Sequence, residues 1–408
     1  MKTLVSILFL FALFCSQMSL AIDMTAQSGF NYDWWKDNKD NKGSQFYIPI
    51  NLEARYRDLS VRLLTGEAYT YVNMAGSSSR SLTHLLDTKL NLSYEILEKL
   101  PVDVLIGLDF NLPTGKTNFK GTQSNLIMDP DLVSITKFGE GFNVNPTVNL
   151  AKAFGNLVAG IGIGYLWRGE YDTNAIVFER SILFGSTDTF FTKRYDPGNI
   201  LNATFELGYD FTPQWHYRLF GSYTWFGKDK IDNHEFYQEG QTFILGLGLS
   251  YNEKKWNAGL TVRGIFRDKS EFKKNLTVDI FSTEASSALY QQWLSQPLST
   301  EERNSHGDEW IADLSLKYLL DNKTTLRSFI QGLLITNNNY PSNSSFFVGR
   351  REKLSLGLGL KRNLLPYLEG EVYGKGFLMH DEDRFFPEFL SERNYGGYSV
   401  GFLLTGKF

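Results

Sequence analysis

The stretch VDVLIGLDFNL at residues 102–112 sets Val102, Val104, Ile106, Leu108, Phe110 and Leu112 against Asp103, Leu105, Gly107, Asp109 and Asn111. Successive side chains of a strand point to opposite faces, so this period of two describes one oily face and one wet face. Upstream, DTKLNLSYEI (87–96) opposes Leu90, Leu92, Tyr94 and Ile96 to Asp87, Lys89, Asn91, Ser93 and Glu95. Residues 45–57 put Phe46, Ile48, Ile50, Leu52, Ala54 and Tyr56 against Gln45, Asn51, Glu53, Arg55 and Arg57. Downstream, residues 201–211 put Leu201, Ala203, Phe205, Leu207, Tyr209 and Phe211 against Asn202, Thr204, Glu206 and Asp210.

Two architectures make such strands: a soluble sandwich with its oily faces inward, and a membrane barrel whose oily face meets lipid. Many segments run about 11 to 15 residues, beyond the roughly five or six of sandwich strands and enough for the roughly 9 to 11 of a tilted membrane-spanning strand. Tight connections such as Asp58-Leu59, Glu253-Lys254 and Asp321-Asn322 alternate with long polar ones. That is the pattern of short periplasmic turns and long extracellular loops.

About 15 strand candidates start near residues 45, 60, 87, 101, 141, 156, 199, 215, 240, 255, 308, 323, 346, 366 and 394, whereas a single-chain barrel needs an even number. Residues 24–34 supply one more, alternating Met24, Ala26, Ser28, Phe30, Tyr32 and Trp34 with Thr25, Gln27, Gly29, Asn31 and Asp33. The fold expected is all-β, an antiparallel transmembrane β-barrel of about 16 strands with both ends periplasmic. Residues 60–73, the third strand, show no clear phase; Arg350 and Glu352 would face outward, so the fourteenth strand is expected to project beyond the membrane there. Trp215 and Trp225 share a face; about ten residues at about 3.3 Å, tilted about 40°, put them roughly 25 Å apart along the membrane normal, in opposite aromatic girdles.

Composition agrees. Of 408 residues 42% are hydrophobic, 21% charged and 15% aromatic, too aromatic for a disordered chain. A net charge of -4 and a pI near 5.9 give no basic footprint, so nucleic acid is not an expected partner. Beyond the extreme N-terminus no stretch reaches the roughly 18 apolar residues of a spanning helix. Lys2, the apolar run Leu4 to Phe14 and the small-x-small site Ser19-Leu20-Ala21 read as a signal peptide over residues 1–21, leaving 22–408 as the barrel. The single cysteine, Cys15, falls in that leader and is not preceded by the small residue of a lipoprotein site. Disulfides, Cys-ligated metals and thiol nucleophiles are therefore not expected, and no cofactor or metal is.

The chain resembles Gram-negative outer-membrane β-barrel porins and channels, most specifically at its end. Val400, Phe402, Leu404 and Gly406 alternate with Gly401, Leu403, Thr405 and Lys407 before a terminal Phe408. This is similar to the signal read by the barrel-assembly machinery, although Gly406 stands where a larger apolar residue is usual. Locally, IGLDFNLPTGK (106–116) and FGEGFNVNPTVNLAKAFGNLVAGIGIGYLWRGEYD (138–172) resemble outer-membrane transporters associated with aromatic-compound (phenol meta-pathway) catabolism. The resemblance implies a bacterial outer-membrane location, with outer-membrane lipid, the assembly machinery and small-molecule solutes as partners; a homotrimer is left open.

With the wet face inward, the pore-lining candidates are Glu53, Arg55, Arg57, Asp103, Asp109, Arg168, Glu206, Asp210, Arg218, Arg263, Arg267, Asp313, Lys317, Arg327, Glu369, Glu371 and Lys375, with Glu170 beside them. Fixed charges of both signs replace part of the hydration that polar solutes lose on entry. The leading expectation is passive diffusion of small hydrophilic solutes; a channel for aromatic compounds, a non-conducting barrel and a rim hydrolase stay open. Glycines at 160, 162, 164, 246, 248, 357 and 359 leave space on the inward face for something to pack. Residues 113–140 form a candidate constriction loop, with Asp129 and Asp131 bringing negative charge to a narrow point. Residues 283–296 are a candidate helix over the mouth, with Leu289, Tyr290 and Trp293 as its apolar contacts. His380 with Asp381 and Asp383 is the one suggestive catalytic cluster, but neighbours on a strand point apart, so no enzyme activity is expected.

Overall fold

The computed structural model describes residues 22–76, 78–119, 123, 126–173, 176–178, 181–183, 193–273, 287–385 and 390–408. The expected signal peptide and residues 283–286 of the expected helix lie outside the described residues. The chain alternates up and down through β1 (Asp23–Asp37), β2 (Lys42–Tyr56), β3 (Leu59–Asn73), β4 (Arg80–Leu85, interrupted and resumed at Thr88–Ile96), β5 (Asp103–Leu112), β6 (Asn143–Phe154), β7 (Leu157–Arg168) and β8 (Ile200–Asp210). It continues through β9 (Trp215–Phe226), β10 (Thr242–Asn252), β11 (Trp256–Arg267), β12 (Glu309–Asp321), β13 (Thr324–Ile335), β14 (Arg351–Leu365), β15 (Leu368–Asp381) and β16 (Arg393–Lys407). Both pieces of β4 pair with β3, one along each half of it, so the strands number 16. β1 pairs antiparallel with β16 from Thr25–Lys407 to Asp37–Tyr395, and the backbones of Met24 and Phe408 exchange two further hydrogen bonds. The sheet closes on itself, which leaves no strand edge unpaired in lipid.

Each expected strand is present. The fourteenth begins at Arg351 rather than near 346, and Glu352 faces outward above the apolar belt, bound to Arg350 at 3.4 Å. The unclear phase of residues 60–73 has a physical cause. Register with β2 puts Leu64, Gly66, Ala68, Thr70 and Val72 on the inward face and Thr65, Glu67, Tyr69 and Tyr71 on the outward one, so neither face is uniformly wet or oily where β3 meets a segment packed inside the barrel.

The outer surface is a belt of exposed Leu, Ile, Val and Phe bounded by two aromatic rows. One row includes Trp215, Tyr251 and Trp256, with consecutive ring centroids 4.8 Å apart. The other includes Trp34, Trp167, Trp225 and Trp310. Among the described residues no helix is long and apolar enough to cross a membrane; the crossing is made by strands. At the end with the long connections, short strands at Tyr171–Thr173, Lys193–Asp196, Lys228–Ile231, His234–Gln238, Glu271–Lys273 and Leu298–Thr300 form a second sheet above the barrel. Helix α1 (Ala288–Leu294), capped by Ser287, buries Tyr290, Trp293 and Leu294 against Tyr195, Ile231 and Phe236. Leu289 is a correction to the sequence reading: it is exposed, because burying the Tyr290 and Trp293 face turns it to the other side.

Candidate functional site: the barrel interior

The described residues of the connection from β5 to β6 (113–119, 123 and 126–142) fold into the barrel, where the connection packs along the inner wall of β1–β3 and β14–β16. That wall carries apolar groups. Trp35, Val72, Phe377, Met379 and Tyr395 pack with Leu126, Met128, Leu132 and Val133 of the segment. A second cluster joins Phe119, Ile127 and Phe138 to Leu82 and Leu86. Polar groups fix the register. The Asn31 amide donates to Ser134 Oγ at 3.0 Å, the Ser134 N–H to Asp33 at 2.8 Å, and Gln45 exchanges two 2.8 Å hydrogen bonds with the Ile135 backbone. At the base of the segment, Asp87 in the β4 interruption accepts from the N–H groups of Gly115 and Glu140 at 2.8 and 2.7 Å.

Arg351 holds the tip. Its guanidinium contacts Asp129 at 2.6 Å, Asp131 at 2.9 Å and Asp381 at 2.6 Å, and it is 0% exposed. Its face lies 4.0 Å from the centroid of Phe385, and Lys353 donates to the Asp131 carbonyl. The structure thus corrects the role expected of Asp129 and Asp131. They face the wall and are neutralised there, because a buried carboxylate must be paired to stay charged.

The remaining interior keeps its charge. Register places Glu53, Arg55, Asp103, Asp109, Arg168, Glu206, Asp210, Arg218, Arg263, Arg267, Asp313, Lys317, Arg327, Glu369, Glu371 and Lys375 on the inward rows. Arg57 is the exception. It occupies the β2–β3 turn with φ 54°, and its guanidinium lies 5.1 Å from the ring of the outward-facing Tyr56, so it sits at the rim. Several inward charges are paired: Arg55 with Glu95 at 2.6 Å, Arg267 with Glu309 at 3.6 Å, and Arg327 with Glu371 at 2.9 Å. Glu369 binds Lys361 at 2.5 Å and Lys407 at 3.7 Å, and Asp210 binds His216 at 2.7 Å. Asp109 takes hydrogen bonds from Asn91 and Asn145, and Asp313 from Gln331 at 2.6 Å. Glu53, Glu206 and Lys317 are solvent-exposed on these inward faces. Phe329, also inward, is 37% exposed.

The inward glycines have two uses. An added Cβ at Gly246 would lie 2.2 Å from the Phe220 ring, and one at Gly357 would lie 2.1 Å from that of Phe329, so each ring lies flat against the wall over a neighbouring strand's glycine. Gly162 instead makes room for Asn149 and Thr204. Sequence reasoning located the space and missed the rings; an inward aromatic in register with an inward glycine is the signal that finds them.

Above the barrel, Glu170 pairs with Arg194. Asp229 accepts from the Tyr195 hydroxyl and the Gly198 N–H, both at 2.7 Å, and burial pushes its carboxyl above the usual range. His380 and Asp381 separate as neighbours on a strand do: His380 binds Asn394 at 2.8 Å on the outside while Asp381 binds Arg351 inside. Among the described residues no group of acidic, His or Cys side chains could hold a metal ion.

A closed barrel with an apolar belt, two aromatic rows and a charged interior is the architecture of the bacterial outer membrane. No curated protein sequence matches this chain. Several solved structures are similar to it. Pseudomonas aeruginosa OccK7 (OpdD) has a TM-score of 0.44 at 10% identity, covering 95% of this chain and 99% of that one. The Ralstonia pickettii toluene transporter TbuX gives 0.40 at 10%, with 96% and 90% covered. The COG4313 outer membrane channel from Pseudomonas putida F1 gives 0.35 at 13%, with 61% and 90% covered. A family model covers residues 17–269, a span that takes in β1 through β11 and the whole inserted segment. The chain belongs to that family, described as "Putative MetA-pathway of phenol degradation".

Proposed function

We propose that this protein is a passive channel through which small, hydrophilic solutes cross the outer membrane, narrowed on one side by residues 113–142. The observation that carries this reading is the asymmetry of the interior. The inserted segment is bound to the β1–β3 and β14–β16 wall, while Glu206 and Lys317 on β8 and β12 remain exposed to water. A core filled by a plug would have buried them. Lining charges of both signs offset the hydration a solute loses on entry, and pairing within the wall keeps any single site weak enough for release. His380 and Asp381 do not act as a catalytic pair, since they face opposite sides of the wall.

A second reading, passage of aromatic molecules, draws on Phe220 and Phe329 lying flat on the wall and on the family's description. Planar-bilayer recording of the purified chain tests the channel. Stepwise ohmic openings in KCl are expected; a folded, heat-modifiable barrel that gives none refutes it.

A further inference from the structure

The inward row of β10 contains Gly246 and Gly248, and register sets Phe220 of β9 and Arg263 of β11 on either side of Gly246, with Arg218 opposite Gly248. Two missing side chains make a shallow trough between two arginines. The Phe220 ring floors it, pressed over Gly246, and the Arg218 guanidinium lies 4.5 Å from the ring centroid. Among the described residues neither arginine forms an ion pair, unlike Arg267 with Glu309 or Arg327 with Glu371. The Arg263 Nε is buried and has no hydrogen-bond partner among them. A guanidinium in open water needs no protein partner, but a buried N–H left unpaired costs free energy, so an anionic acceptor would be favoured there. Planar guanidinium groups match carboxylates two bonds at a time, and an aromatic floor favours a flat apolar body above it.

We propose that Arg218, Phe220 and Arg263 form a transit station for small organic acids, binding the carboxylate between the two guanidinium groups and the flat apolar body against Phe220. This rests on the channel reading and narrows its solutes to a class. Glu206, in register with Phe220 on its other side, is exposed. Its like charge weakens the hold on an anion, which suits a site that a solute must leave.

The test compares benzoate with benzamide, its neutral isostere, on the full chain. In proteoliposomes, after subtraction of entry into protein-free vesicles, benzoate should enter roughly tenfold faster than benzamide, as one charge-assisted bidentate contact implies. The ratio should fall to near one in R218Q/R263Q. R263K, which keeps the charge and loses the fork, should lose about half of the preference on a logarithmic scale. F220L should reduce benzoate entry relative to acetate. Equal entry of benzoate and benzamide into vesicles that conduct KCl overturns the station and leaves the channel standing. Calorimetric benzoate binding in detergent that vanishes in R218Q/R263Q, from a chain that does not conduct, overturns the channel and leaves the site. R263K equal to the native chain reduces the station to a diffuse field and overturns the bidentate contact.

Discussion

Two walls of one barrel, one of strands 14 or 15 residues long and the other of strands 11 to 13, have opposite fates. On β1–β3 and β14–β16 the inward rows carry Trp35, Val72, Phe377 and Met379, and residues 126–133 of the β5–β6 connection pack onto them, with Arg351 0% exposed. On β8–β13 the inward rows carry Glu206, Arg218, Arg263 and Lys317, glycines replace bulk, and Glu206 and Lys317 stay exposed, while at the loop end Ile311, Leu333 and Ile335 are buried with Phe385. The difference teaches that an inward face is not inherently a pore lining. Apolar inward residues recruit a chain segment because burying them releases water. Charged ones keep their hydration, which nothing nearby repays them for losing.

The largest expected effect comes from breaking the packed wall. R351M leaves Asp129, Asp131 and Asp381 buried without their shared cation, a loss of about 3–5 kcal/mol. Thermal unfolding in detergent should fall accordingly, and single-channel conductance should at least double as residues 113–142 leave the wall. Unchanged conductance with lowered stability would show that the segment does not narrow the path.

On the open wall a comparable intrusion is G246A. Its Cβ would meet the Phe220 ring at 2.2 Å, so the ring must swing into the lumen at a cost of about 1–3 kcal/mol. Conductance should drop; a rise would mean the ring does not border the path.

A smaller test compares charges between the walls. R263E should move the reversal potential toward cations, while D131N, whose carboxylate is committed to Arg351, should move it far less. Equal shifts would erase the distinction between the walls. The smallest effect is expected from E371Q, which removes half of a partly exposed ion pair with Arg327 at about 0–1 kcal/mol. It should leave the unfolding temperature nearly unchanged and bias the current toward anions.

The strand pattern was legible because it is local: alternation at residues 102–112 depends only on strand geometry and on what lies to each side. That made the even count, the aromatic rows and the inward placement of Arg218 or Glu371 readable. Arg57 failed because a tight turn abolishes alternation, and φ 54° aims the residue past the end of the wall. Leu289 failed because an apolar residue on a short helix has two faces to choose from, and the packing of Tyr290 and Trp293 chose the other.

The sequence by itself determined that this chain closes a barrel, since only pairing of every strand satisfies its backbone beside lipid. It also marked residues 113–140 as a connection long enough to enter. The tertiary structure alone decided where that connection lies and what its acids do, because Asp129 meets Arg351 across 222 positions of sequence. No local period encodes such a meeting. It follows from closure, which brings the last strands beside the first and sets their apolar inner faces together.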